Sequence, residues 1–448
     1  LIKQRTTTTT TPDTNPTLSS VTKQNGSTYS VGSNSIAYES TSGYYVRGRR
    51  DVSVNYPVVE SGTWGSLTTG ITWNTPTVLS SNSLRGNEVR VATGGGYAHL
   101  AYCTRENSNE NAKVTPVAIS GSGSLSLGTT TTVSTTASSS SDAKPYSVVY
   151  NTSENTVLAF FYLGWQSGYL NKVFPLQMSG ANYSYSSSDA VTITSSNIGG
   201  VNQLVAGYDS DTNRTVAFYN ENETAVKAKV ISCSGVTITV GSAQNPSFST
   251  SARSNGYSRL TYDTQNNKFI FMYDVSSPVN YAPKYSIVTV TGGATNTLSF
   301  TSDAYVFSNT SQQAQEVVIN WNSDANELFM VYPKYSNYHI QCNTFSSNGS
   351  TLTTLTEAEM STEEMRDNGS EQTAGVFVTG KGVSYSVGDQ DTDGIINFTL
   401  SLGSTTSTVV NASQSNFVGV ARSGTDLELA EPPTELVAMA NGSITKGK

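Results

Sequence analysis

Charge is scarce in this sequence of 448 residues: Asp, Glu, Lys and Arg together make up 13% of it, about half of the ~25% found in ordinary globular chains. The balance is acidic, with a net charge of −8, which speaks against a nucleic-acid-binding surface. Cysteine is almost missing. Cys103, Cys233 and Cys342 are odd in number and show neither CxxC nor Cys/His metal spacing, so no disulfide framework or zinc site is expected and all three read as free, partly buried thiols. There are two histidines, His99 and His339. Both sit in apolar runs with no Ser or Cys nucleophile pattern beside them, as satisfied strand residues do. No apolar run approaches the ~20 residues of a membrane-spanning helix. No secretory signal is visible, and the chain begins at Leu1 rather than Met, which reads as a processed or truncated chain.

What fills the sequence instead is Ser, Thr, Asn and Gly, with 25 Tyr. β-Branched and aromatic residues suit strands, while Asn and Gly suit tight turns. One pattern recurs: "VVYNTSENTVLAFFY" at Val148, "LVAGYDSDTNRTVAFYN" at Leu204, "LTYDTQNNKFIFMYD" at Leu260 and "INWNSDANELFMVYP" at Ile319. Each copy has an aromatic, an Asp or Asn, a polar turn containing Asn, and an apolar run that ends in an aromatic. Tyr150 and Phe161, Tyr208 and Tyr219, Tyr262 and Tyr273, Trp321 and Tyr332 are all 11 apart. The closing aromatic recurs at Tyr102, Phe161, Tyr219, Tyr273, Tyr332 and Tyr385, and one step back lie Tyr44 and Tyr45. Seven copies therefore run from about Val21 to Ala412.

Within a copy, alternation in "YSIVTV" and "VTITV" marks half-buried strands, and runs such as "FIFMY" read as strands covered on both faces. Four strands per copy and seven copies predict an all-β, seven-bladed β-propeller; solenoid coils are shorter and sandwiches need ~100 residues each. The acidic stretch "TEAEMSTEEMRDN" from Thr356 to Asn368 reads as a solvated loop or one exposed helical turn. Residues 1–20, with six consecutive Thr, Pro12 and Pro16, read as an extended arm or linker. Residues 413–448 read as a C-terminal extension for assembly, too short for a core of its own. In it "ELVAMA", Glu435 to Ala440 with Val437 inside it, is the strand most suited to donation to a neighbouring sheet edge.

The blade sequence "YDSDTNRTVAFY", strands of the "VKAKVISCSGVTITVGSA" type and the closing "NFVGVA" resemble the propeller-repeat virion proteins of marine and cyanobacterial tailed phages, over most of the chain. Here the copies have diverged: "INWNSDANELFMVY" has lost the Tyr-Asp pair. The resemblance implies a non-enzymatic tail-fibre, spike or head-decorating component on the virion surface. Its implied partners are further copies of itself, as a trimer or lattice, other virion proteins, and a host-surface glycan or receptor, with no nucleic acid and no membrane insertion. A secreted or cell-surface glycan-binding adhesin and a glycoside-cleaving enzyme are the competing classes.

Glycosidases usually need two carboxylates across the scissile bond. Asp209 and Asp263 recur, but in the first-to-second-strand turn, where Asp caps backbone N–H groups. "SGTWGSLTTGITW" resembles a sialidase Asp-box without its Asp. "GDQDTDGIINF" sets Asp389, Asp391 and Asp393 at alternate positions before Gly394, like the start of a calcium loop, although Leu400 stands where an EF-hand has Glu. A plain acidic turn is the other reading. For glycan contact the exposed-aromatic candidates are Tyr44, Tyr45, Trp64, Trp73, Trp165, Tyr169, Tyr335 and Tyr338. Among these Trp165, Tyr169, Tyr335 and Tyr338 share one loop type in different blades, and packing between blades is the plainer alternative.

Overall fold

The computed structural model describes residues 6–18, 21–24, 35–51, 53–66, 68–106, 109–137, 143–164, 170–196, 198, 204–221, 225–246, 258–275, 282–291, 296–307, 317–334, 336–365, 374–388, 395–410, 420–422 and 426–428. Seven antiparallel sheets follow one another along the chain, and their innermost strands are Ser35–Glu39, Leu84–Gly94, Lys144–Asn151, Leu204–Asp209, Ser258–Asp263, Val318–Asn322 and Ala374–Val378. Each of these touches the next, and the seventh touches the first. The chain is a seven-bladed β-propeller of four-stranded blades.

The unbroken apolar character of the second strands follows from this arrangement. In blade 3, Val157, Ala159 and Phe161 of strand Thr156–Tyr162 pack against blade 2, while Leu158 and Phe160 pack against blade 4. Alternate residues of a strand point to opposite faces, so a strand between two blades needs apolar residues at every position.

The recurring polar turn joins first to second strand. In blade 4 the Asp209 carboxylate accepts hydrogen bonds from the backbone N–H groups of Asp211 and Thr212 at 3.0 and 3.4 Å. Asp263 in blade 5, Asn322 in blade 6 and Asn151 in blade 3 do the same two and three residues on. Each turn ends on an Asn with positive φ: Asn155, Asn213, Asn267 and Asn326. Asn tolerates that left-handed geometry better than other side chains. The motif is thus a turn, as its residue types imply.

The aromatic before each capping residue ties blades together. The hydroxyl of Tyr208 pairs with that of Ser153 in blade 3, Tyr262 donates to Asp209 in blade 4 at 2.7 Å, and the Trp321 indole N–H donates to Thr264 in blade 5. Lys381, in the blade 7 turn, reaches the Tyr38 hydroxyl of blade 1. One end of the ring is therefore a girdle of short, interlocked turns.

Two sequence expectations change. The acidic segment is neither loop nor helix: Leu352–Glu364 is the outer strand of blade 6, paired with His339–Ser347 through three register shifts. The third strand needs a partner, and that pairing overrides the local helical preference; its charges sit on an outer strand, where they discourage edge-to-edge association. At the N-terminus, within the segment read as an extended arm or linker, Thr6–Leu18 is a strand paired with Ile395–Val410. Thr suits extended backbone and Pro is tolerated at sheet edges. Thr22–Gln24 also pairs with Ile395–Asn397, so the outer strand of blade 7 comes from the start of the chain and blade 1 begins only at Ser35.

By contact the chain divides into Thr14–Gly403, which holds the ring, and a unit made of Leu1–Asp13 with Ser404–Lys448. In the latter a hairpin joins Val420–Arg422 to Asp426–Glu428, and Val437 lies outside the described residues.

Candidate functional site

Antiparallel order places the second-to-third-strand and blade-to-blade connections at the end opposite the girdle. By sequence the longer connections are of these two types: 163–170 in blade 3, 241–257 between blades 4 and 5, and 334–338 in blade 6. Trp165, Tyr169, Tyr335, Asp389, Asp391 and Asp393 all belong by sequence to second-to-third-strand connections and lie outside the described residues. No cluster of three His, Cys, Asp or Glu side chains able to hold a metal occurs among the described residues.

Tyr338 is described, and its backbone is unusual. Its φ is +57°, and every other non-glycine residue with positive φ among the described residues is an Asn. Its N–H donates to the Lys334 carbonyl at 2.6 Å and its carbonyl accepts from Met365 N–H at 2.8 Å, so the turn is held from both sides. An aromatic in the left-handed region costs roughly 1–2 kcal/mol. The ring is only partly buried.

The aromatics picked out in blade 1 serve packing. Tyr45 is fully buried, its ring 5.1 Å from Tyr38 and 6.3 Å from Trp64. The Arg47 guanidinium lies 4.3 Å from the Trp73 ring centroid. Tyr44 donates to the Gly121 carbonyl of blade 2. The segment that resembles an Asp-box contributes to the hairpin between the third and fourth strands of this blade.

His99 is fully buried between blades 2 and 3, with Nδ1 2.8 Å from the Tyr183 hydroxyl, Nε2 3.1 Å from the Gly94 carbonyl and its ring stacked on Tyr150. Burial pushes its pKa down to about 4, which makes it a neutral packing residue. His339 lies 3.2 Å from Glu359 and 2.9 Å from Asn337. The three cysteines are free and buried; burial raises the Cys233 thiol to about 11, so these thiols are poor nucleophiles.

Sequence reading missed two buried charge clusters. In blade 2 the first strand shifts register between Arg85 and Val89, and Glu88 turns inward with no exposure and, among the described residues, no hydrogen-bond partner for Oε1. Its burial outweighs Arg90 and Lys144 and raises the carboxyl to about 7. Nearby, Glu110 accepts from the Ala143 N–H of blade 3 at 2.7 Å. In blade 1, Arg47 and Arg49 both bond Glu60, with Arg49 Nη2 to Oε1 at 2.6 Å and Arg47 Nε to Oε2 at 2.9 Å. Burial raises the Glu60 carboxyl, but the two guanidiniums outweigh it and hold it below the usual carboxylate range. A repeat-based search for positions that break the apolar pattern of the second strand would have flagged Arg47 and Arg49.

No protein-family model matches the sequence, and no curated protein matches it. Among solved structures the chain is similar to NanB sialidase from Streptococcus pneumoniae, at 9% identity over 86% of this chain and 70% of that one, with a TM-score of 0.47. It is also similar to a chain of the mitotic checkpoint complex, at 11% identity over 86% and 95%, TM-score 0.49. A third is the Cps50 (Swd1) β-propeller domain of Myceliophteria thermophila, at 9% over 86% and 100%, TM-score 0.47. Likenesses this distant assign no role to any residue here.

Proposed function

We propose that the chain is a structural protein of a virion surface whose propeller turns its loop face to a host glycan or receptor. The observation that carries the recognition half is Tyr338, a partly exposed aromatic held in a strained conformation on the face with the longer connections. Strain of this kind collects at ligand-contacting sites, and binding residues collect on loops positioned by a rigid scaffold. The interlocked girdle at the other end supplies the scaffold. The repeat residues "YDSDTNRTVAFY" and the closing "NFVGVA", with their resemblance to phage virion proteins, support the virion half.

Two measurements test this. Mass spectrometry of purified particles should find this sequence among the structural proteins. Full-length chain should retain on host cells or host polysaccharide without releasing reducing ends, and Tyr338→Gly should cut retention at least tenfold while its melting temperature stays equal or rises. Retention unchanged by Tyr338→Gly removes the residue from the site, and release of reducing ends would favour the glycosidase.

A further inference from the structure

Three repeat positions change together where blade 6 meets blade 7. The first opens the second strand of a blade. In blades 3, 4 and 5 it is Thr156, Arg214 and Lys268, and each donates to the hairpin between the third and fourth strands of the next blade. The acceptors are the Gly235 carbonyl at 3.1 Å, the Asn296 side-chain oxygen at 2.6 Å and the Gly349 carbonyl at 2.6 Å. Blade 6 has the carboxyl of Glu327 there, and blade 7 takes its outer strand from the start of the chain.

The second position lies on the third strand. Pro116, Pro175, Val230 and Ile287 hold it in blades 2 to 5, opposite His99, Leu158, Val216 and Ile270. Blade 6 has Thr344 there, opposite Phe329. Residues paired directly across an antiparallel ladder share a face. Phe329 is packed into the blade 6–7 core, so Thr344 faces blade 7. The third position neighbours the closing aromatic. The Tyr102 hydroxyl pairs with that of Thr115 at 2.9 Å, and Tyr332 donates to Asn343 at 3.1 Å. Beside Tyr385 the same ladder position holds Leu400.

The outcome is three buried polar atoms in one apolar interface. Glu327 is 7% exposed, and Thr344 and Tyr385 are fully buried. Glu327 Oε2, Thr344 Oγ1 and Tyr385 Oη have no hydrogen-bond partner among the described residues. Cys342 lies two residues from Thr344 on the same face of the third strand. Burial raises its thiol and the Glu327 carboxylate adds to this; burial raises the Tyr385 hydroxyl and Cys342 adds to that. All three groups therefore surround Cys342. Leaving a buried donor or acceptor unpaired is costly, and buried water with several polar partners is the usual remedy.

We infer that the blade 6–7 interface holds ordered water, shared by the Thr344 and Tyr385 hydroxyls and reaching the Glu327 carboxyl. Hydroxyls and a protonated carboxyl both give and take hydrogen bonds, as water requires. A crystal structure of the full-length chain, at a resolution that shows ordered water, should place a molecule within hydrogen-bond distance of Thr344 Oγ1 and Tyr385 Oη. A double-mutant cycle reads the same sharing in solution. Thr344→Val and Tyr385→Phe should each lower the melting temperature by about 1–3 °C. The double variant should lose less than the sum, because the second removal meets a water already short of a partner. Bare hydroxyls would give the opposite sign, since removing either one relieves an unpaired group. A rise in either single variant, strictly additive losses, no water at these atoms, or a metal ion in its place overturns the inference.

Discussion

Asp209 offers a direct test of whether the repeated carboxylates build turns or perform chemistry. Its side chain is 2% exposed and accepts four hydrogen bonds: the N–H groups of Asp211 and Thr212, the Thr212 hydroxyl at 2.7 Å, and the Tyr262 hydroxyl of the next blade at 2.7 Å. Asp209→Ala removes every acceptor at once. A buried donor left unpaired costs about 1–3 kcal/mol, and part of this turn can rehydrate, so a loss of about 2–4 kcal/mol is expected. Unfolding entropy near 2.1 cal/mol/K per residue over the roughly 390 residues of the ring unit converts this to a melting-point drop of about 2–5 °C. Asp209→Asn keeps an amide oxygen in the place where Asn151 and Asn322 already cap the turns of blades 3 and 6, and should cost under about 1 kcal/mol. Thermal and urea melts of the two variants decide. If Asn is as damaging as Ala, the negative charge matters more than the acceptor geometry, and the turn account is wrong. A catalytic carboxylate would be told apart by turnover, which Asn would abolish while sparing the melt.

Gly94→Ala should destabilise by about 1–3 kcal/mol, because its Cβ would stand 1.9 Å from the Tyr150 ring, an overpacking the girdle cannot absorb without moving Tyr150 off His99; an unchanged melt would refute this. Burial raises the Glu327 carboxyl to about 7, and its Oε2 has no hydrogen-bond partner among the described residues. The unfolded carboxyl ionises near pH 4.5 while the folded one keeps its proton, so stability falls as pH rises from about 4.5 to 7. Glu327→Gln should therefore melt with the parent at pH 4 and above it at pH 8; the same difference at both pH values would contradict the assignment. A calcium site at Asp389, Asp391 and Asp393 predicts a melting temperature that falls in chelator and recovers with calcium, with the response lost in Asp391→Ala; superimposed curves would leave a plain acidic turn.

The blades were legible in the sequence because their spacing is carried by residues with one physical job each. An acceptor caps the turn, an Asn accepts positive φ, and an apolar run fills both faces of a strand. The girdle was not legible, since Tyr208 meeting Ser153 and Tyr262 meeting Asp209 join residues 55 and 53 apart, and nothing local says which turn an aromatic will reach. Ring closure was hidden for the same reason: Thr22–Gln24 pairs with residues more than 370 positions away. Glu357 and Glu359 misled because the helix-forming residues around them carry no sign of the third strand that recruits them. At the candidate site, loop membership could be read from strand order, but the left-handed backbone of Tyr338 could not, since Tyr has no preference for it.

Departures from the repeat fall into two kinds. Blade 2 has Thr93 and Gly94 where blades 3 to 6 have an aromatic and an Asx residue, and blade 3 explains the glycine: Tyr150 occupies the space a side chain would take. Blade 7 has a shorter turn without a carboxylate cap, and blade 6 compensates, as Asp324 accepts from the Gly380 N–H at 2.6 Å. In both cases a neighbour supplies what the blade gave up, so the departure improves the contact between blades. Arg47 and Arg49 show the second kind: they share the Glu60 carboxylate of their own blade, and Arg47 also donates to the Ser386 hydroxyl and the Asn397 side-chain oxygen of blade 7, so a buried charge is held from within its blade and from the neighbour together.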